Sequence, residues 1–174
     1  MLHTDRLDLR PWREDDAAEL FELARDPHIG PSAGWPAHAS VEESAAVIRD
    51  VLIMPDSFAV IEHATGALVG AMALKHPEIS EMAGPGEAEL GYWIGVPYWG
   101  RGYATEAARA AVAYGFDELG LSAIWAGYYE GNERSRRVQE KLGFEFRYRR
   151  ECDVELLGER RVECCQLLVP ERVR

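Results

Sequence analysis

Glu89-Leu-Gly-Tyr-Trp-Ile-Gly-Val-Pro-Tyr-Trp-Gly-Arg-Gly-Tyr-Ala-Thr-Glu-Ala107 changes character twice along its length. It opens with Leu90, Tyr92, Trp93, Ile94 and Val96, an apolar and aromatic run too short for a typical helix, which reads as a strand. Pro97 ends that strand, because it cannot donate to a ladder and biases Val96 toward an extended conformation. Gly100 and Gly102 flank Arg101, and a helical pattern begins near Tyr103. The order is strand, tight glycine turn, helix. Such a turn gathers backbone N–H groups at a helix N-terminus, where the macrodipole adds partial positive charge, and diphosphate is the usual occupant. Glycine lets phosphates close on the backbone without meeting a Cβ. The alternative is a plain connecting turn whose glycines serve backbone geometry alone. Thr105 rather than Gly stands three after Gly102, and no Gly-Lys-Ser/Thr occurs, so the dinucleotide fingerprint and the P-loop are both excluded.

Outward from this stretch, composition bounds the rest. At 174 residues and 47% apolar content the chain is expected to fold as one domain, 1–174, with a genuine core. No run approaches the 18 or so apolar residues of a membrane span, and the N-terminus has no apolar signal core. Cys152, Cys164 and Cys165 are odd in number and lack Cys-x-x-Cys spacing, so neither a disulfide framework nor a metal is expected from them. A cytoplasmic protein without membrane contact follows from these readings. The net charge of −11 argues against a nucleic-acid partner and weakly favours a cationic acceptor such as an amine or basic peptide.

In chain order, Thr4 to Trp12 alternates Leu7 and Leu9 with polar residues, as a half-buried strand does. Glu14 to Arg25 places Ala17, Leu20, Phe21 and Ala24 at helical spacing. Residues 26–39 read as a loop carrying His28, Trp35 and His38, and Ser40 with Glu43 forms a capping box for a second helix that Pro55 stops. Strands over 57–63 and 67–75 form a hairpin across Ala-Thr-Gly. A loop with two prolines leads to the strand over 87–96, then a helix over 103–119 whose small-residue stripe lets it lie close to a sheet. A strand over 121–129, a helix capped by Asn132 and Gly143, and two strands over 144–154 and 160–168 complete the pattern.

Two segments resemble one family. Tyr-Trp-Gly-Arg-Gly-Tyr-Ala-Thr-Glu-Ala, residues 98–107, resembles motif A of the GCN5-related N-acetyltransferases, most closely the RimJ/RimL-like branch that acetylates ribosomal-protein N-termini. Gly102-Tyr103-Ala104 supplies the second half of that motif, and Trp99 stands where the superfamily has Gln or Arg. Asn132-Glu-Arg-Ser-Arg-Arg-Val-Gln-Glu-Lys-Leu-Gly-Phe144 resembles motif B. The resemblance implies an α+β fold with a mixed, mostly antiparallel seven-stranded sheet, a splayed parallel pair, and helices on both faces.

It also implies acetyl-CoA as cosubstrate, without a metal. The pantetheine arm would pair with backbone of Trp93, Ile94 and Val96. The diphosphate would take N–H groups from Arg101, Gly102, Tyr103, Ala104 and Thr105. Arg101 and Lys141 would add charge, and Asn132 a bond to the arm; the alternatives are solvated charges and a pure helix cap. Acetyl transfer to an amine needs a neutral amine, stabilisation of the carbonyl oxygen, and a proton for the departing thiolate. Glu89 is the expected base, at the position where histone-type members carry theirs, with Glu87 as second choice. The alternative for Glu89 is a carboxylate that pairs with a neighbouring strand. Ser135 is the expected acid, with Tyr128 and Tyr129 as substitutes and a backbone-bonded helix serine as the alternative. A route through Cys152 is disfavoured because nothing in the sequence activates its thiol. Trp35 is expected to wall the acceptor pocket, with His28 and His38 as bystanders.

The function so implied is transfer of acetyl from acetyl-CoA to the α-amino group of a protein or peptide. The alternatives are a small-molecule amine acceptor and a non-catalytic acyl-CoA-binding domain. The long C-terminal hairpin could serve a homodimer.

Overall fold

Leu7 and Leu9, two apart on one strand, are both fully buried, as their alternation with polar residues requires. They anchor one end of an eight-stranded sheet in the computed structural model, which describes residues 1–170. Its strands are β1 (Leu2–His3), β2 (Leu7–Pro11), β3 (Ser57–Glu62), β4 (Leu68–Lys75), β5 (Glu87–Ile94), β6 (Ala123–Tyr129), β7 (Glu145–Val154) and β8 (Glu159–Leu168). The spatial order is β1-β2-β3-β4-β5-β6-β8-β7. All seven expected strands are present; the eighth, β1, pairs only Leu2 with Leu9 and His3 with Asp8. Two residues carry no readable period, which is why it escaped the sequence pattern.

The helices are α1 (Ala17–Ala24), α2 (Gly30–Ala33), α3 (Val41–Val47), α4 (Tyr103–Asp117) and α5 (Glu133–Leu142). The single turn α2 lies inside the segment read as a loop. The second predicted helix changes to a π-helical turn at Ile48–Leu52. At its start the Ser40 hydroxyl accepts from the Glu43 N–H at 3.1 Å, while the Glu43 carboxylate reaches Ala39 N–H, one residue before the cap. Alternation along β3 divides the core. Phe58 and Val60 face α4, whereas Ala59 faces Leu20, Leu23 and Ile48 on the opposite side.

Helix α4 sits close to the sheet because its inner stripe is small: Ala107, Ala108, Ala111 and Gly115 are buried. A Cβ on Gly115 would stand 3.0–3.1 Å from Ile124, Leu121 and Leu74 side chains. Among the described residues only one strand pair is parallel. Its ladder runs Glu87↔Ala123, Ala88↔Ile124 and Glu89↔Trp125, and stops there although both strands continue. Their outer edges stay paired, β5 with β4 as far as Ile94↔Gly70 and β6 with β8 as far as Tyr129↔Glu163. Each strand follows its other neighbour, and a wedge opens between them. No helix among the described residues is long and apolar enough to cross a membrane.

Candidate active site

The wedge opens into a cleft of about 970 Å³. One wall is β5 from Glu89 to Ile94, facing Gly127, Tyr128 and Tyr129 at the end of β6. The turn before α4 and the inner face of α5 form one end, and Trp35 with the β7–β8 hairpin forms the other.

At the turn, Gly100 and Gly102 hold φ of +76° and +81°, values an L side chain adopts only with strain. Gly102 is the N-cap of α4, and Gly100, Gly102, Tyr103, Ala104 and Thr105 all line the cleft. The turn is braced from behind. Tyr103 is buried and its phenol donates to Glu62, whose other oxygen accepts from Thr65 at 2.7 Å. These bonds, Tyr103's foremost, hold the Glu62 carboxyl below the usual range. Arg6 donates to the Arg101 carbonyl at 3.0 Å and to Glu106 at 2.8 Å. The Arg101 guanidinium points to Glu62 (3.4 Å) and the Pro97 carbonyl (3.2 Å), and Arg101 is not part of the cleft lining. The charge expected of that side chain is therefore turned elsewhere.

Helix α5 supplies charge in its place. Arg134, Arg137 and Lys141 stand at i, i+3 and i+7 on one face and line the cleft. Arg134 lies 3.6 Å over the Trp99 ring. Lys141 was expected there; Arg134 and Arg137 were not, although the same periodicity marks them. Asn132 also lines the cleft, with Oδ1 accepting from Ser135 N–H at 3.2 Å and Nδ2 donating to the Ser32 carbonyl at 3.4 Å.

Glu89 stands on the cleft wall at the last rung of the parallel ladder. Its Oε1 accepts from Lys75 Nζ at 2.9 Å and its Oε2 from Ser80 Oγ at 2.7 Å. Lys75 is on neighbouring β4, so the carboxylate is at once strand-paired and cleft-facing. Glu87 accepts from Gly84 N–H (2.9 Å) and Trp125 Nε1 (2.8 Å) and is not part of the lining. It closes a loop instead of facing the cleft.

Ser135 Oγ lies 2.8 Å from the Tyr92 hydroxyl, a partner that sequence reading missed. Tyr92 counted only as an apolar strand residue, and nothing local pointed from β5 to α5. Burial pushes the Tyr92 phenol up, so it keeps its proton near neutral pH. Gln139, fully buried, donates to the Gly127 carbonyl at 3.0 Å and to Ser135 Oγ at 3.3 Å. Tyr128 and Tyr129 also line the cleft, both with phenols raised by burial. Burial likewise pushes the Cys152 thiol up, which works against a thiolate nucleophile.

Trp35 lines the opposite end of the cleft, edge-on to Trp93 with ring centroids 5.9 Å apart. His28 is exposed and bonded to Asp26; His38 is buried against Ser44 at 2.8 Å, and desolvation lowers its pKa. Neither lines the cleft. This end is acidic, with Glu81, Asp153, Glu155 and Glu163, and Arg150 ties Glu81 (3.0 Å) to Glu163 (2.8 Å). Val51, Ile79 and Leu156, each more than half exposed, form an apolar rim.

A splayed parallel pair with a glycine turn at one end and a basic helix face beside it can receive an extended anionic ligand. The family profile described as "Acetyltransferase (GNAT) domain" matches residues 6–145. The chain belongs to the GNAT acetyltransferases. As a GNAT protein it is an acetyl-CoA-dependent N-acetyltransferase acting on an amine acceptor. It is 30% identical over 155 residues to YoaA of Bacillus subtilis, an N-acetyltransferase uncharacterized by name, covering 83% of this chain and 82% of that one. A GNAT-family acetyltransferase of Bacillus anthracis superposes with a TM-score of 0.83 over 97% of both chains at 24% identity. The spermidine N-acetyltransferase of Vibrio cholerae, solved with CoA and spermine, shares the fold with a TM-score of 0.75 at 19% identity, over 94% of this chain and 95% of that one.

Proposed function

We propose that this cytoplasmic, single-domain GNAT protein acetylates the N-terminal α-amino group of a protein or peptide. The observation that carries the reading is the acceptor mouth. Glu155, without an ion pair among the described residues, and the charge that Glu81, Asp153 and Glu163 retain beyond Arg150 and Arg160 leave a net negative field for an incoming ammonium. The exposed Val51, Ile79 and Leu156 offer apolar surface to residues following it. A small hydrophilic amine makes no use of that rim. The acidic half alone favours the second reading, a small polycationic amine such as the ligand of the Vibrio cholerae relative.

Acetyl-CoA supplies the acetyl thioester. Backbone of Trp93 and Ile94, which lines the cleft beyond the last rung of the parallel ladder, would receive its pantetheine arm. Val96, expected to share that role, instead opens a short 3-10 turn after the strand and does not line the cleft. N–H groups of Gly102 to Thr105 and the side chains of Arg134, Arg137 and Lys141 suit its phosphates. Asn132 keeps one amide hydrogen and one lone pair for the arm. Neutralising Arg137 and Lys141 together is expected to raise the KM for acetyl-CoA about tenfold, roughly 1.4 kcal/mol, with kcat nearly unchanged. The defect should shrink in high salt, because screening weakens the parent's attraction as well.

Glu89 takes the ammonium proton, directly or through water, and Trp35 walls the acceptor. Ser135 Oγ–H protonates the departing thiolate. The Tyr92 hydroxyl passes its proton to Ser135 across their 2.8 Å contact as it takes one from cleft water, so neither residue is left ionised. The proton taken by Glu89 returns to solvent. Ser135→Ala is expected to lower kcat by about a hundredfold, within the usual range for a lost general acid. Tyr92→Phe should give a smaller loss, and the double variant should be no worse than Ser135→Ala, since both remove one relay. Additive losses would separate the two residues.

Thiol release from acetyl-CoA, measured against N-terminal peptides, polyamines and aminoglycosides, tests the acceptor. Turnover concentrated on peptides supports the proposal; turnover on small amines alone overturns it.

A further inference from the structure

The sheet edge opposite the β7–β8 hairpin brings together a second cluster that the acetyl-transfer cleft does not use. His3 on β1 and Asp8 on β2 are direct cross-strand partners, so their side chains share a face. Asp8 pairs in turn with Ile61 of β3, and His63, two residues on from Ile61, returns to that same face. His3 Nδ1 and His63 Nε2 both reach Asp8 Oδ1, at 2.5 and 2.9 Å. Each residue offers one ligand atom, and all three atoms lie within 4.8 Å of one another. Backbone bonds fix the placement, Thr4 N–H to the Leu7 carbonyl and His63 N–H to the Arg6 carbonyl, each 2.9 Å. Among the described residues the ion-pair partners of Asp8 are these two histidines, with no lysine or arginine.

We propose that His3, Asp8 and His63 form a binding site for a divalent transition metal ion, zinc being the natural choice. Two imidazole nitrogens and one carboxylate oxygen suit zinc, cobalt or nickel; magnesium and calcium prefer oxygen throughout. Zinc ligands sit at about 2.0–2.2 Å, so each histidine nitrogen must part slightly from Asp8 Oδ1, and the two nitrogens settle around the ion from a separation within 4.8 Å. Water completes the shell on the open side, where the His3 side chain is 66% exposed. None of the three residues lines the cleft, so the ion is structural. It cross-links the first three strands beside Arg6, which carries the Arg101 carbonyl and Glu106 on its guanidinium. Occupancy therefore stabilises the segment that braces the phosphate turn. The cysteine spacing could not reveal this site, because its histidines are sixty residues apart in sequence and meet only through the sheet.

Cobalt(II) titration of the chelator-treated full chain near pH 7.5, followed by visible absorption, tests the site. The melting temperature measured with and without zinc provides a second readout. One saturable equivalent and a rise in melting temperature are expected for the parent. His63→Ala and Asp8→Asn should each weaken binding by about tenfold or more, and His63→Gln should do the same if His63→Ala folds poorly. Circular dichroism without metal checks that the variants fold as the parent does. No saturable binding by the parent, or binding that survives both His63→Ala and Asp8→Asn, overturns the proposal.

Discussion

Glu89→Gln is expected to lower kcat by about a hundredfold or more, the usual scale for a lost general base, with the KM for acetyl-CoA unchanged. The amide keeps the size of the side chain and can still bond Ser80, so the cleft wall holds its shape. What it loses is the capacity to take a proton. An α-ammonium has a pKa of roughly 7.7–8.0, so the neutral acceptor grows with pH until the base is no longer needed. The deficit of the variant should therefore narrow as pH rises through 8, and a pH–rate profile of both proteins checks this. Lys75 loses its partner in the variant, but at 38% exposure water replaces the carboxylate and the stability cost stays small. A variant with full kcat and a lowered melting temperature would make Glu89 a strut between β4 and β5 and nothing more.

Gly70→Ala is expected to damage stability and cofactor affinity together. Gly70 stands opposite Ile94 where β4 passes β5. A Cβ there would lie 2.3 Å from the Trp93 carbonyl oxygen and 3.0 Å from Ile94 Cα. Those are backbone atoms, so no rotamer relieves the clash and β5 itself must shift. Overpacking of this kind costs about 1–3 kcal/mol, and with the intruded atoms in the backbone the upper end applies. At roughly 2–4 °C per kcal/mol for a chain of this size, thermal unfolding should come several degrees earlier. The shift falls on Trp93 and Ile94, the edge assigned to the pantetheine arm, so the KM for acetyl-CoA should rise in the molecules that remain folded. Calorimetry and initial-rate kinetics on the same preparation separate the two effects.

What the sequence made legible was local or periodic. The strand, glycine turn and helix around Gly100 and Gly102 could be read because proline, glycine and a change of period all fall within a few residues. The seven longer strands were legible for the same reason, whereas β1 is too short to show alternation. The site was half legible. Strand period puts Glu87 and Glu89 on one face, but which of them meets the cleft depends on where the parallel ladder stops, and that is set by neighbours on the far sides of β5 and β6. Arg101 carries the right charge beside the right turn, yet Glu62, distant in sequence, claims it. Arg134 and Arg137 could have been found from helical spacing alone. Tyr92 could not, since its hydroxyl partner lies forty-three residues on.

The short parallel ladder has a mechanical consequence. Strands β1 to β5 form one half-sheet and β6 to β8 another. Among the described residues the ladder between them is three residue pairs long, extended by the Ser122 N–H to Gly86 carbonyl bond beside it. Alongside the Trp125–Glu87 and Tyr92–Ser135 bonds, α4 adds cohesion across that seam, its Gly115 packing on Leu74 from one half and on Leu121 and Ile124 beside the other. The helix works as a splint over an unzipped fabric. Loosen it, and the alignment of the two halves rests on the short ladder and a few side-chain bonds, so the width of the gap proposed for the thioester depends on how tightly α4 packs.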